Sequence, residues 1–300
     1  LALLLREGTF PLAAPGPVAL GEMITRPAAL AGLEYEGDLA ERILRDTGGE
    51  PGSLALMAYT LEELYNACCH GAGAPPLGGT QVPPNGMLSL AAYEALGRVQ
   101  GAIATRAEAA YNGPALGEAA RQALPAVFRE LVEVDERGTA TRQRAPLGRV
   151  APTPEAAALV EALTQARLLV QSEGEDRQPM VEVAHEAIFR SWPRLRDWIE
   201  ERQDDLRLRR QVRLAAEEWE RSGRSAAYLW PDERLRPVYA MRDRLPWAPD
   251  PLAAAFIRPE AERLLEELEH IETTHQRRSA IGERLAAIGD PRPGVGLRPD

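Results

Sequence analysis

The chain has 300 residues, 45% hydrophobic and 27% charged, a composition that predicts a globular chain of about two domains rather than a fibre or a disordered tail. Its formal net charge of −10 disfavours nucleic acid as a general partner, because phosphate binding needs a basic face. All 35 basic residues are arginine, so this stretch holds no P-loop GxxxxGK, no lysine Schiff base and no lysine general base.

The opening "LALLL" is too short to span a membrane and lacks a charged leader or cleavage site. With no initiator methionine and with "GVGLRPD" as its last residues, the chain is expected to be an excerpt of a longer protein. Residues 1–30 read as a strand or helix end followed by a Pro/Gly-rich connection. In "GDLAERILRDTGG", Asp38 can cap, Leu39 and Ile43 share a face, and Gly48 stands where a helix C-cap belongs. Leu54, Met57, Leu61, Leu64 and Tyr65 then recur at helical spacing, with Pro51 just before the first turn. The adjacent Cys68 and Cys69 do not normally bridge, so reduced thiols and a cytoplasmic location are expected.

Residues 71–86 are a Gly/Pro-rich loop. "LSLAAYEALGRVQGAIATRAEAAY" predicts a long helix or helix pair weakened at Gly97 and Gly101. "ALGEAARQALPAVFRELVEV" is helical again, with Pro125 as a kink point. The period then changes. "TATRQRAP" reads as a short strand, and "TPEAAALVEALTQA" as a helix with Thr153 as N-cap and Pro154 in the first position. "RLLVQS" and "PMVEVAH" read as strands joined by a polar turn. Helix, short strand, helix, strand, turn, strand is the order of a winged helix.

Beyond Glu186 the chain turns helical and charged, with Ile188, Trp192, Leu195 and Ile199 on one face and Pro193 kinking or restarting the helix. A helix continues to Gly223. Prolines break residues 226–250, and residues 251–289 form a last long helix in two pieces. The tryptophans at 192, 198, 219, 230 and 247 read as packing anchors.

His185-Glu186 invites a zinc-hydrolase reading, but HExxH needs a second histidine where Phe189 stands. Cys68, Cys69 and His70 are too cramped for a metal and lack a fourth ligand nearby. Duplex reading by the helix 153–166 is disfavoured. It carries Glu155 and Glu161 with only Gln165 as an amide, and the wing carries Glu173, Glu175 and Asp176 against Arg177. Arg207, Arg209, Arg210 and Arg213 read as a solvated helix face, as do the carboxylates of "LLEELEH".

Several stretches resemble one family: "MITRPAALAGLEYE", "ILRDTGGEPGSLALMAYTLEELY", "LGRVQGAIATRAEAAY" and "VEVAHEAIFRSWPRLRDWI". They are similar to the carboxy-terminal half of the novel STAND NTPases, multidomain signal-transduction ATPases, over about residues 1–235. The resemblance implies a mainly α chain. Residues 1–113 would be a helical lid, 114–184 a winged helix with a small β-hairpin wing, and 185–268 a helical connector. The P-loop core, with Mg and ATP or ADP, would lie upstream, and this fragment alone would bind no nucleotide and hydrolyse none. Gly49-Glu50-Pro51 resembles the lid element whose proline packs on the adenine. "VAHEAI" resembles the winged-helix motif whose histidine, here His185, reaches the ADP phosphate. A histidine at a strand–helix junction can donate to phosphate, and a following helix N-terminus favours an anion. The bland alternative is that His185 only caps the junction.

Residues 277–300 resemble the lead-in to a formylglycine-generating-enzyme-like (sulfatase-modifying-factor) domain, with 269–300 as the linker into it. The expected function is therefore the regulatory, nucleotide-sensing part of an ATP/ADP switch controlling a downstream sensor or effector module. Its trigger would be an unknown protein, and no membrane is involved. Two alternatives stand beside it. One is a helical scaffold presenting a lectin-like binding domain, such as a retroelement-diversified variable protein. The other is a winged-helix DNA binder.

Overall fold

The computed structural model describes residues 15–47, 53–70, 86–174 and 176–295. The chain is mainly helical, with small sheets of two or three strands. It divides into two compact units, one drawn from Leu1–Val132 and Arg142–Ile199, the other from Glu133–Thr141 and Glu200–Asp300.

The first unit begins with α1 (Pro17–Leu30), where the sequence suggests a Pro/Gly-rich connection. Pro17 occupies the first helical position, where its missing N–H costs nothing. Pro27 lies inside the helix and removes the bond to the carbonyl of Met23, on the turn's water-facing side (Met23 is 43% exposed). Leu20, Ile24 and Ala28 form the buried stripe. After β1 (Glu34–Tyr35) comes α2 (Leu39–Thr47), with Leu39 and Ile43 buried and Asp38 paired with Arg42 one turn on. Gly48, the expected C-cap, falls outside the described residues.

Helix α3 (Ser53–His70) shows a face turned from the one the apolar spacing suggests. Leu56, Met57 and Leu64 are buried, but so are Thr60, Glu63 and Asn66, while Leu54 is exposed. Thr60 and Glu63 can face inward because partners wait there. Thr60 donates to the carbonyl of Leu56 on its own helix, and Glu63 pairs with Arg106 of α5. A parallel pairing of β1 with β2 (Met87–Leu88) then leads into α4 (Leu90–Ala95) and α5 (Arg98–Tyr111). The break between them is at Gly97, whose φ of 73° is left-handed and needs no Cβ. Gly101 continues α5, and a Cβ on it would stand 2.5 Å from the carbonyl oxygen of Leu96.

Helix α6 (Glu118–Gln122) gives way to α7 (Leu124–Leu131) at Pro125, which buries Leu124, Val127, Phe128 and Leu131. Strands β3 (Val132–Val134) and β4 (Ala140–Arg142) form a hairpin. Its tip is tightened by Asp135, which accepts from the N–H groups of Arg137 and Thr139. Next come β5 (Ala145–Pro146), α8 (Leu147–Val150) and α9 (Pro154–Gln165), whose N-cap Thr153 accepts from Ala156 N. β6 (Leu169–Glu173) and β7 (Pro179–Val183) complete an antiparallel sheet of order β5-β7-β6. Val181 and Val183 alternate inward and are fully buried. After β7, α10 (Ile188–Ser191) ends at extended Trp192, and α11 (Pro193–Glu201) starts at Pro193.

The second unit includes the tip of the β3–β4 hairpin, held by Arg213 on the carboxylate of Glu133 at 2.8 Å and Arg207 on the carbonyl of Asp135. Both arginines belong to α12 (Gln203–Arg221), so part of the run read as a solvated face makes specific contacts. Helix α13 (Asp232–Arg244) runs through Pro237, a position read as a break. The bond lost there would have gone to Glu233, which is exposed, and Leu235, Val238 and Met241 stay buried. The last stretch is three helices rather than two pieces: α14 (Pro251–Phe256), α15 (Glu260–Glu269) and α16 (His275–Ile288). Arg258-Pro259 forms one break, and Thr274 N-caps the last helix by accepting from Arg277 N. Leu264, Ile281 and Leu285 pack together between α15 and α16. The aromatic anchor of this unit is Phe256, with Trp219 and Trp230 at 5.9 and 5.4 Å.

Two glycines in helix interiors give opposite expectations. Gly101→Ala drives a methyl into the Leu96 carbonyl and should destabilise by about 1–3 kcal/mol. Gly282→Ala in α16 meets nothing within 4 Å and should stabilise by about 0.5–1 kcal/mol. Urea unfolding of the two variants checks the signs.

Candidate functional site

The end of the β6–β7 ladder delivers His185. Ala184 N donates to the carbonyl of Leu168 at 2.9 Å, the last backbone bond across these strands. The chain then turns: Ile188 N donates to the His185 carbonyl, and Ala187 N donates to His185 Nδ1 at 3.2 Å. A neutral imidazole that accepts at Nδ1 carries its proton on Nε2, the donor form a phosphate oxygen or carboxylate would meet. The capping contact is thus present, on Nδ1.

The residues around His185 have structural tasks. Glu186 is exposed, and its Oε1 accepts from the backbone N–H of Arg142 at 2.9 Å. Phe189, at the position of a zinc motif's second ligand, is buried in the core. Among the described residues no three His, Cys, Asp or Glu side chains come together to hold a metal ion. Helix α10 is only four residues long, too short for its aligned peptides to add up to a useful dipole, so the anion preference expected from a helix N-terminus finds no support here.

His185 lines a cavity of about 140 Å³ together with Tyr59 of α3, Ile103 of α5, Arg167, Leu168, Ala184 and Ile188. Tyr59 is the least expected of these. Its Oη is buried without a hydrogen-bond partner, a state that costs about 1–3 kcal/mol. Burial pushes its phenol well above the usual tyrosine range, so it stays protonated and a donor. Arg106 lies over its ring at 5.5 Å and pairs with Glu63, one turn further along α3. Arg167 is at the rim, paired with Glu62 at 2.8 Å. Helix α9 ends there in a Schellman arrangement. Leu168 N donates to Leu163 O and Arg167 N to Thr164 O, and Arg167 holds the left-handed position (φ 57°) that glycine usually takes.

Of the two residues singled out for nucleotide, His185 is in this cavity. Pro51, with Gly49 and Glu50, lies outside the described residues. Tyr59, Glu63, Arg106 and Arg167 escaped the sequence reading. Their signals were faint: a tyrosine and a glutamate one turn apart on an apolar helix, one cation in the Ala-rich "GAIATRAEAAY", and an arginine where a helix should end on glycine.

The family model for Novel STAND NTPase 1 matches residues 1–227. The chain belongs to this family. The match takes in every cavity residue and stops short of residues 277–300, so the formylglycine-generating-enzyme likeness gains nothing from it. No curated protein and no solved structure matches the chain. Among the described residues no helix is long and apolar enough to cross a membrane.

The segment carrying His185 is clamped from behind. Trp192 is fully buried, edge-on to Tyr111 and Phe128, and its Nε1 donates to Glu108 Oε2 at 2.8 Å. Arg194 donates to the other oxygen at 2.7 Å and lies over the Tyr111 ring. Arg194 first, then the bonds from Trp192 and Asn112, hold the Glu108 carboxyl down to about 2. Because the folded value is depressed, this stabilisation is complete above the unfolded value near 4.5 and is lost as pH falls towards about 2. Acid titration followed by tryptophan fluorescence should show a transition in that window. In Glu108→Gln the Glu108 contribution to it should disappear.

Proposed function

We propose that this chain is the regulatory part of a STAND-type ATP/ADP switch, in which His185 helps retain ADP in the closed state. The observation that carries the reading is the placement of His185. It stands at the end of a three-stranded sheet with Nδ1 engaged by the backbone, and it shares a cavity with helices α3 and α5. Family membership supports a nucleotide-linked role in general. The element order of residues 118–183, with its β5-β7-β6 sheet, supports a winged helix, and the helices before it support a lid.

On this reading the P-loop core elsewhere in the full-length protein supplies Mg and the chemistry of ATP. This chain's residues supply state-dependent contacts. Nε2–H of His185 donates to an anionic oxygen of ADP, and Pro51 packs on the base. Replacing ADP with ATP would release the winged helix and pass a signal towards a downstream module, here of the formylglycine-generating-enzyme-like kind. Such coupling requires only that the two nucleotides contact the two states differently.

In the full-length protein, His185→Ala should speed ADP release by about tenfold, the equivalent of one charge-assisted hydrogen bond. Fluorescent-ADP dissociation measures it. An unchanged rate would leave His185 as a cap of the strand–helix junction and remove its nucleotide role.

A further inference from the structure

The side chain next to His185 reaches the β3–β4 hairpin. Glu186 Oε1 accepts the backbone N–H of Arg142, the last residue of β4, at 2.9 Å. Beside it, Gln143 N donates to the carbonyl of Leu131 at 2.9 Å and closes the base of the hairpin. The base is therefore tied to the segment that carries His185. The tip is held by α12. Arg213 takes both oxygens of Glu133, Nε to Oε1 at 2.8 Å and Nη2 to Oε2 at 3.1 Å. A planar fork on a carboxylate fixes direction as well as distance. Arg207 Nε donates to the carbonyl of Asp135 at 3.2 Å. Gly138 has φ 85° and lies so near α12 that a Cβ would stand 3.1 Å from Gln203 Oε1. The turn between base and tip is stiffened by Asp135, whose side chain accepts from Arg137 N and Thr139 N and whose own N–H donates to the Thr139 carbonyl. The gripping helix is itself built into a core, since its Trp219 meets Phe256 at 5.9 Å.

Packing places residues 133–141 in the second unit, while the residues on both sides of them belong to the first. A stiff hairpin attached at both ends must move with the His185 segment or give up one attachment. We infer that the β3–β4 hairpin is the linkage that carries the state of the His185 segment to the second unit. Glu186 is a positioning residue at its base, and the Arg213–Glu133 fork is the grip at its far end. That nucleotide sets the state rests on the role proposed above; the linkage itself does not.

Hydrogen exchange of the full-length protein, read peptide by peptide by mass spectrometry, tests both ends. Without added nucleotide, Glu186→Ala loses the acceptor for Arg142 and should speed exchange in residues 203–213 of α12 by about two- to tenfold, the range of one net hydrogen bond. Glu186→Gln keeps an oxygen at that position and should leave α12 as in the parent. Coupling is reciprocal, so Arg213→Gln should speed exchange in residues 181–190 by a similar factor. The double variant Glu186→Ala with Arg213→Gln should add little to either alone, because both open the same linkage. Peptides of α15 and α16 should match the parent throughout. The linkage is overturned if Glu186→Ala changes only residues 140–143, or if Arg213→Gln changes only residues 133–141 and α12. Loosening that also reaches α15 and α16 is general destabilisation and overturns it too. In the parent, replacing ADP with ATP should change exchange in residues 181–190 and 203–213 together. A change in the first alone overturns the linkage. A change in neither refutes the nucleotide role, and the linkage then stands or falls on the two single variants.

Discussion

A buried indole N–H is costly without an acceptor, and in the first unit Glu108 supplies one. Among the described residues Trp192 is the largest fully buried side chain, and a carboxylate on α5 accepts its indole hydrogen. Arg194 then holds the other carboxylate oxygen, so three residues from two distant stretches of chain form one clamp. The clamp decides the route of the backbone after β7. The segment must fold back across α5, and His185, seven residues before Trp192, is thereby laid beside α3 and α5.

The other side of the cavity depends on a polar contact as well. Glu63 and Arg106 are each about nine-tenths buried and face each other across α3 and α5. A buried ion pair adds little net stability over a well-packed apolar pair, but removing one partner strands the other, so it enforces one pairing of helix faces. That pairing turns Tyr59 inward, so that the residue lines the cavity and its hydroxyl is buried with no protein partner. The apolar residues of α3 alone would have allowed several rotations. The polar ones select one.

The family match runs past the first unit and into the second, ending at residue 227 in the short turn after α12. The cavity, the clamp and the β5-β7-β6 sheet all lie within the first unit. The second unit takes residues 133–141 out of the middle of the first, so the chain crosses the boundary three times. A hairpin whose tip is gripped by Arg207 and Arg213 is therefore continuous, at both ends, with the segments that build the cavity.

Much of the local structure was written in the sequence. Thr153-Pro154 marks a helix start because a side-chain acceptor and a fixed φ act within one turn. Val181 and Val183 mark a strand because alternation sorts side chains to two faces. Ile188, Trp192, Leu195 and Ile199 were rightly read as one buried row, and Gly97 and Pro193 as breaks, because left-handed backbone and a missing N–H act at the residue itself. These signals span three or four residues and need no partner. Pro27 and Pro237 misled because whether a lost backbone bond matters depends on whether water or protein faces it. The inward turn of Glu63 depends on Arg106, 43 positions later, and the cavity on residues 59, 103, 167 and 185 meeting at one point. Sequence alone thus determined most of the elements and the absence of lysine chemistry from this stretch. Only tertiary packing decided which face of α3 is buried, what stands opposite the histidine, and that the two enclose a space, since each is settled by partners far apart along the chain.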